Sequence, residues 1–132
     1  MKYNEIRRKT KKIKIGNSFI GGDSPIAIQS MTNTDTHNID ATVAQIKALE
    51  NAKCDIVRIT VPDLEAADII TELKKQVSIP VVAIGGIGAD NVSKLESSGI
   101  SGIAVISAIF AAVDIESATK SLKELTEKVV LK

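Results

Sequence analysis

The chain has 132 residues, 44% of them apolar, which fits one compact globular domain with a core of ordinary size. Its formal net charge of +1 neither favours nor excludes a polyanionic partner, and we expect no nucleic-acid partner. No apolar run reaches the roughly 18 residues of a membrane span, and the N-terminus lacks the apolar part of a secretory signal. We therefore predict a cytoplasmic protein without a membrane partner.

The first residues are strongly basic. Residues 1–14 hold a single acid, Glu5, and seven basic residues: Lys2, Arg7, Arg8, Lys9, Lys11, Lys12 and Lys14. A basic arm can hold phosphate-rich partners, but a solvated terminus is the interpretation we favour. The segment IKIGNSFI, residues 13–20, alternates around Gly16-Asn17 and predicts a two-residue β-hairpin. We expect this hairpin to cover the open bottom of a barrel.

Residues 26–60 predict a strand, a loop, a helix and a second strand. Ile26–Met31 is expected to be a buried strand, and the polar loop Thr32–Asn38 after it is a candidate binding edge. Asp40 is expected to cap a helix that runs to about Ala52. The apolar residues of this helix recur at helical spacing and predict the face that packs on the sheet: Val43, Ile46 and Leu49.

Arg58 is the anomaly of the next strand, Asp55–Val61, which is otherwise mostly apolar. A buried guanidinium is costly unless it is paired. Inside a barrel near its rim, Arg58 could bind phosphate through two hydrogen bonds. The alternative is an internal ion pair with Asp35, Asp63 or another carboxylate, and the sequence leaves both open.

A helix follows, with one apolar face formed by Leu64, Ala67, Ile70, Leu73 and Val77 and with Asp63 as a possible cap. The next run, Val81–Ile84, is apolar at every position, which favours a parallel strand covered on both faces. An amphipathic helix from about Ala89 and a strand over Ile103–Ile106 are predicted next. Asp114 is expected to cap the last helix, whose apolar stripe is Ile115, Ala118, Leu122, Leu125 and Val129.

Two small-residue loops follow the last two predicted strands. Gly85 and Gly86 lack a Cβ atom, so their backbone can adopt positive φ and approach an anion closely. Ile106 and Ser107 stand at the same place after the following strand. Paired loops at the carboxyl ends of the last two strands are the usual phosphate site of a β/α barrel. The alternative is that both loops only close tight turns.

No catalytic residue can be assigned from these patterns. The single cysteine, Cys54, excludes an internal disulfide and cannot supply a cysteine-rich metal or iron–sulfur site, so we expect it to be buried and inert. His37 has no cysteine or serine partner in a recognisable constellation and is expected to be a hydrogen-bonded loop histidine. We predict no metal and no cofactor.

Two resemblances cover different parts of the chain. Residues from about 7 to 80, with QSMTNTDT and CDIVRITVPDLEAA, resemble the start of the barrel of hydroxymethylbutenyl diphosphate synthase, an iron–sulfur enzyme of isoprenoid precursor synthesis. The resemblance implies that strand-end residues bind a diphosphate. It places Arg58 in a matching segment and puts Gln29, Asn33 and Asp35 at the rim without individual roles. The family's cluster ligands belong to a later domain that this sequence does not contain.

Residues from about 78 onward, with IPVVAIGGI and GIAVISAIF, resemble the C-terminal end of thiamine-phosphate synthase. This resemblance implies that Gly86, Ile106 and Ser107 hold a substrate phosphate through backbone and hydroxyl groups. The two resemblances meet at residues 78–83, which suggests a chimera of two barrel fragments.

Together these patterns predict one domain of α/β class, the (βα)4 half of a TIM-type β/α barrel with an N-terminal β-hairpin. Its parts are residues 1–24 (basic arm and hairpin), 25–79 (first two βα units) and 80–132 (last two). A full barrel needs about 250 residues, so we expect a homodimer to complete it; the alternative is an open, doubly wound parallel sheet.

Three functions remain open at this stage. The favoured one is a chimeric fragment that binds phosphate or a small phosphorylated ligand at Gly85, Gly86, Ile106, Ser107 and Arg58, without efficient catalysis. The second is a diphosphate-handling enzyme of isoprenoid or thiamine phosphate biosynthesis. The third is a structural, self-associating module.

Overall fold

A four-stranded parallel sheet forms the centre of the computed structural model, which describes residues 7–61, 63 and 65–130, without the side chains of residues 65–67. The strands lie side by side in chain order, so each strand pairs with the next one along the chain. They are β3 (Gln29–Met31), β4 (Ile56–Thr60), β5 (Val81–Ile84) and β6 (Gly102–Ala104). This sheet and its helices confirm the prediction of a fragment of a β/α barrel.

The helices lie between and after the strands. They are α1 (Ile39–Asn51), α2 (Glu65–Lys74), α3 (Ser107–Phe110) and α4 (Ile115–Val130). The prediction of an amphipathic helix from about Ala89 is wrong, because the structure has only a 3₁₀ turn, Val92–Leu95, between β5 and β6. The backbone after this turn adopts positive φ at Ser97 (66°) and Gly99 (83°), which leads the chain into β6 instead of extending a helix.

The N-terminus of α1 differs by two residues from the prediction. Asn38, not Asp40, is the cap, and its side chain accepts a hydrogen bond from Ala41 N at 3.1 Å. Asp40 lies in the first turn of the helix. The predicted role of Asp114 before α4 is confirmed, since its carboxylate accepts from Ser117 N at 2.9 Å.

The predicted hairpin is present as β1 (Ile13–Ile15) and β2 (Ser18–Ile20), an antiparallel pair. Gly16 turns the chain with a φ of 59°. A Cβ atom on Gly16 would lie 2.8 Å from Ser101 Oγ and 3.1 Å from the Pro80 ring. The hairpin therefore lies against the amino ends of β5 and β6, at the bottom of the sheet, and leaves the carboxyl ends free.

One face of the sheet carries the core. The alternating residues that point to this face are Val57 and Ile59 of β4, Val61 just after β4, and Val81 and Ala83 of β5. They form one buried cluster with residues of the two helices α1 and α2: Val43, Ile46, Ile70 and Leu73. Val77 is buried in the same cluster, while the side chains of the two other residues predicted for its helix face, Leu64 and Ala67, lie outside the described residues. The predicted helix faces of α1 and α2 are thus confirmed where they are described.

The opposite face contains a second row of paired residues. Met31 pairs with Arg58, Arg58 with Val82, and Val82 with Gly102. This row lies on the face that would form the interior of a closed barrel. Arg58 is half-buried there, so its predicted position on the inner face is consistent with the sheet register.

The first strand of the sheet is shorter and more exposed than predicted. Ile26–Met31 was expected to be a buried strand, but β3 spans only Gln29–Met31. Ile26 is 67% exposed and Ile28 59% exposed. The reason is its place at the edge of the sheet, where no described strand pairs with its outer side.

Of the basic arm, the first six residues lie outside the described residues, Lys2 and Glu5 among them. Lys12 is paired with Asp23 at 3.1 Å and lies over the ring of Phe19. No helix in the described part of the chain is long and apolar enough to cross a membrane.

Candidate functional site at the carboxyl edge of the sheet

The carboxyl ends of the strands bring four loops to one edge. Thr60 pairs with Ile84, and Ile84 pairs with Ala104, so the last residues of β4, β5 and β6 lie in one row. The loop after β3 joins them, because Thr36 Oγ1 donates to Thr60 O at 2.7 Å. The segments predicted to bind an anion therefore follow neighbouring strands.

The loop after β5 has the backbone expected of a close-approach site. Gly85 and Gly86 have φ values of 113° and 60°, in the region that favours glycine. A Cβ atom on Gly86 would meet nothing within 4 Å, so its backbone faces open space. Asn91 holds the loop in this shape: its Nδ2 donates to Gly86 O and its Oδ1 accepts from Gly88 N, each at 2.8 Å. The role of Asn91 was not predicted.

The loop after β6 lies beside the loop after β5. A Cβ atom on Gly88 would be 3.9 Å from the Cβ of Ala108, in the short helix α3. Ser107 is exposed at the start of α3, and Ile106 immediately before it is also exposed. The carbonyl of Ile106 accepts from Phe110 N at 2.9 Å, which orders the first turn of α3.

The guanidinium of Arg58 contains a buried hydrogen-bond donor without a partner. Its Nε is buried and has no hydrogen-bond partner, and its guanidinium forms no ion pair with any residue that the structure describes. Asp35 and Asp63, the acids proposed from the sequence as partners, both contact His37 instead. Arg58 is paired with Val82, two residues before the end of β5, so the rim lies about 7 Å further along the strand.

His37 connects two loops of this edge. Its Nδ1 lies 2.9 Å from Asp35 Oδ1, and its Nε2 lies 3.1 Å from Asp63 Oδ2. The hydrogen bond with Asp35, followed by the one with Asp63, raises the pKa of His37. The His37 backbone N–H, followed by its ring, lowers the pKa of Asp35. His37 is thus a hydrogen-bonded loop histidine, as predicted, but its two carboxylate partners were not foreseen.

Asn33, in the loop after β3, is held by a side chain of α1. Asn33 N donates to Gln45 Oε1 at 2.8 Å, and Gln45 Nε2 donates to Asn33 Oδ1 at 2.6 Å. These bonds tie the loop to α1. Gln29 is exposed, two residues before the end of β3.

Cys54 lies away from this edge, before β4. It is half-buried, and its Sγ lies 3.2 Å from Ile56 O and 3.4 Å from Ile28 O. Within the described ranges no three histidine, cysteine or acidic residues form a group that could hold a metal ion. An open groove of about 380 Å³ lies at the other end of the sheet, between the hairpin and the segment before β3, with Phe19, Ile26 and Asp55 among its lining residues.

Comparison with known families decides the relationship of the chain. The family described as "GcpE TIM-barrel domain" matches residues 10–106, from the hairpin through the loop after β6. The chain belongs to the GcpE TIM-barrel domain family. The match extends beyond residues 78–83, where the two sequence resemblances meet.

Two curated relatives of this GcpE-family chain are both named 4-hydroxy-3-methylbut-2-en-1-yl diphosphate synthase (flavodoxin). The protein of Ruminiclostridium cellulolyticum is 64% identical over 77 residues, which are 58% of this chain and 22% of the relative. The protein of Caldanaerobacter subterraneus is 57% identical over 79 residues, or 60% of this chain and 22% of the relative. The chain therefore matches only about a fifth of the length of these proteins.

Two solved structures resemble the GcpE-family chain. A thiamine phosphate pyrophosphorylase from Pyrococcus furiosus has a TM-score of 0.62 and 26% identity, over 79% of this chain and 60% of that one. A 3-hexulose-6-phosphate synthase from Salmonella typhimurium has a TM-score of 0.55 and 21% identity, over 82% of this chain and 50% of that one. The second likeness shows the fold alone.

Proposed function

We propose that the carboxyl edge of this sheet binds phosphate or diphosphate groups. Arg58 carries the proposal, because its buried Nε has no partner and the two acids predicted as its partners, Asp35 and Asp63, both contact His37. An unsatisfied buried donor costs about 1–3 kcal/mol, and an anionic oxygen would remove this cost. The guanidinium fork matches two oxygens of one phosphate group.

The two loops at the edge supply groups of a second kind. Gly86 faces open space, so an anion can approach its backbone without meeting a side chain. Ser107 is exposed in the neighbouring loop and offers a hydroxyl group. Arg58, Gly85, Gly86, Ile106 and Ser107 are the residues that we assign to this site.

The relatives support this ligand class. The two curated relatives are named as a diphosphate synthase, and one similar solved structure is a thiamine phosphate pyrophosphorylase. Each name includes a phosphate or diphosphate group. We extend only this shared chemistry to the present chain, because it spans a small part of the curated relatives.

We do not expect efficient catalysis from this chain alone. Its one cysteine cannot supply the ligands of an iron–sulfur cluster, and no catalytic group can be assigned among the described residues at the edge. Purified protein should lack iron–sulfur absorbance and should not form thiamine phosphate above background. Turnover in an assay for hydroxymethylbutenyl diphosphate synthase or for thiamine-phosphate synthase, if it disappears in Arg58→Gln, would instead support the second candidate, a diphosphate-handling enzyme.

A chimeric origin remains part of the proposal. The curated relatives match fewer than 80 residues, which is consistent with a different source for the rest, although the GcpE family match continues to residue 106. If the second half has thiamine-phosphate-synthase character, thiamine phosphate should compete with pyrophosphate at Gly86 and Ser107. Competition only by a branched five-carbon diphosphate would contradict the chimera.

A titration followed by amide NMR tests the binding site. Pyrophosphate, added at constant ionic strength, should shift the resonances of Gly86 and Ser107 at millimolar concentration. Arg58→Gln should weaken this binding tenfold or more, whereas Lys9→Gln, an exposed cation of the arm, should leave it unchanged. Unmoved Gly86 and Ser107 resonances in the unmodified protein would refute the proposal.

A further inference from the structure

Two edges of the parallel sheet are unpaired in the described part of the chain. The strand order is β3-β4-β5-β6, so β3 has a free outer side and β6 has another. Free strand edges in soluble proteins are normally covered, charged or paired, because they expose backbone hydrogen-bonding groups. The β3 edge has none of these protections among its three strand residues, Gln29–Met31, which carry no charge.

Exposed apolar side chains are concentrated in β3 and in the segments next to these two strands along the chain. Of the nine large apolar residues that are at least 40% exposed in the described structure, only Ile13 and Phe19 belong to the hairpin. Three of the others lie in or just before β3, and four follow β6: Ile26, Ile28 and Met31, then Ile106, Phe110, Val113 and Ile115. Solvent-exposed apolar residues concentrated in this way mark an interaction surface.

We infer that these two edges pair with each other between two copies of this chain, so that β6 of each copy adds to β3 of the other and closes an eight-stranded barrel. The inference does not depend on anion binding. Two copies supply the eight parallel strands of a β/α barrel, and a two-fold axis satisfies both edges of each copy at once. Four strands alone are too few to close around a packed interior.

The register of the new pairing follows from barrel geometry. A closed barrel of this type has a shear number of about eight, so each copy contributes a stagger of roughly four residues. The row Met31, Arg58, Val82, Gly102 then continues to the partner residue four positions before Met31, which is Ala27. Ala104 comes opposite the partner's Gln29 and Ile106 opposite the partner's Met31, with inward side chains kept in phase.

The opposite stagger would place Asp35 of the partner copy beside Gly102. Asp35 cannot pair there as a strand residue, because it belongs to a folded loop: its carbonyl accepts from Asn38 N at 2.9 Å and its carboxylate contacts His37. The first stagger also explains why Ile26–Met31 has the pattern of a buried strand although only Gln29–Met31 is paired in one copy. Its earlier part would pair with β6 of the second copy.

The apolar surface is large enough for a stable dimer. Each fully buried large apolar side chain removes roughly 60–120 Å² from water. For the seven partly exposed residues of both copies, this amounts to on the order of 800 Å² of apolar surface. Stable interfaces bury about 1,200–2,000 Å² in total and are somewhat more than half apolar, so this value is sufficient.

Light scattering after size exclusion gives the first test. At about 20 μM the mass should be twice the 14.0 kDa of one chain. Ile28→Lys or Phe110→Lys should shift the protein to a monomer, because either places a charge in the closed interface. Ile13→Lys, a similarly exposed isoleucine on the hairpin, should remain dimeric. A monomeric unmodified protein, or a dimer that Ile28→Lys and Phe110→Lys leave intact, would overturn the inference.

Cross-linking tests the register without disturbing the surface. In a Cys54→Ser background, Gln29→Cys combined with Ala104→Cys should form interchain disulfides on mild oxidation, since neighbouring strands lie about 4.8 Å apart. Ser30→Cys with Ala104→Cys is the matched control, because these side chains point to opposite faces and should remain reduced. Equal cross-linking in both variants, or none in the first, would refute the proposed pairing.

Discussion

Glu50 offers a direct test of how the segment leading into β5 is held. It lies in the last turn of α1, and its Oε1 accepts three hydrogen bonds: from Ile79 N at 2.7 Å, Ser78 N at 3.1 Å and Ser78 Oγ at 3.1 Å. On the other side, Lys74 Nζ donates to Ile79 O at 3.2 Å. The segment before β5 is therefore fixed by both α1 and α2.

The cost of removing this carboxylate depends mainly on Ile79. Ser78 is exposed, so water can replace its two bonds to Glu50, but Ile79 is buried and its N–H would lose its partner in Glu50→Ala. An orphaned buried donor costs about 1–3 kcal/mol. We expect Glu50→Ala to lower the free energy of unfolding by about 2 kcal/mol and the Tm by roughly 6–10 °C. Glu50→Gln keeps a neutral acceptor and should cost about 1 kcal/mol.

The pH dependence provides an independent check. Burial by itself would raise the pKa of Glu50, but the hydrogen bonds from Ile79 and Ser78 outweigh it and hold the pKa below its usual 4.5. Because the pKa is depressed in the folded state, the stabilisation is present above the unfolded pKa. It is lost as the pH falls through the folded pKa. The difference between the unmodified protein and Glu50→Gln should therefore shrink below about pH 4.5.

Urea unfolding followed by far-UV circular dichroism measures these differences, since the chain contains no tryptophan. Glu72→Gln is the matched control: Glu72 forms an exposed pair with Lys75 at 2.8 Å, which should contribute well under 1 kcal/mol. A cost of Glu50→Ala no larger than that of Glu72→Gln would show that Glu50 does not hold the segment before β5. The same would follow if the effect of Glu50→Gln were the same at pH 3 as at pH 7.

Three further predictions follow from other parts of the structure. Asp35→Asn should lower the pKa of His37, the single histidine, as measured from its ring proton resonances. Because the pKa of His37 is raised in the folded state, His37 stabilises the fold fully below its unfolded pKa and loses this effect as the pH rises through its folded pKa. An unchanged titration of His37 in Asp35→Asn would contradict the contact. Ile59 is fully buried, and Ile59→Ala should cost about 2–5 kcal/mol in urea unfolding against about 0.5–1.5 for Ile59→Val; near-equal values would mean that this site is loosely packed. Pyrophosphate at a hundredfold excess over its Kd should stabilise the protein by about 2.7 kcal/mol. In a thermal melt at the same pyrophosphate concentration, the tenfold or weaker binding expected of Arg58→Gln should reduce this gain to about 1.4 kcal/mol or less; an undiminished gain would place the site elsewhere.

Features that depend on near neighbours in the chain were predictable from the sequence. The continuous apolar run Val81–Ile84 predicted a covered strand, and the alternation around Gly16-Asn17 predicted a hairpin of two short strands; both are present. The stripe of α4 follows from helical spacing and is buried at Leu122 and Val129, whereas its first predicted residue, Ile115, is 46% exposed. The Asp114 cap is likewise a local feature of the sequence. Arg58 was recognisable as an anomaly because a charge in an apolar strand is unusual wherever the strand lies.

The tertiary structure alone decided which side chains meet across the fold. Whether Arg58 would pair with Asp35 or Asp63 depended on His37, which reaches Asp63 across 26 positions of the chain. Ile26–Met31 has the composition of a buried strand, but its exposure follows from its place at the sheet edge, a property of topology and not of local pattern. The turn Val92–Leu95, which stands where a helix was predicted, follows from local contacts instead: Asn91 bonds to Gly86 and Gly88, and the backbone has positive φ at Ser97 and Gly99. Local propensity is weak, and a contact between distant parts of the chain, such as that of His37 with Asp63, overrides it because it adds a hydrogen bond or buried surface that no short segment can supply.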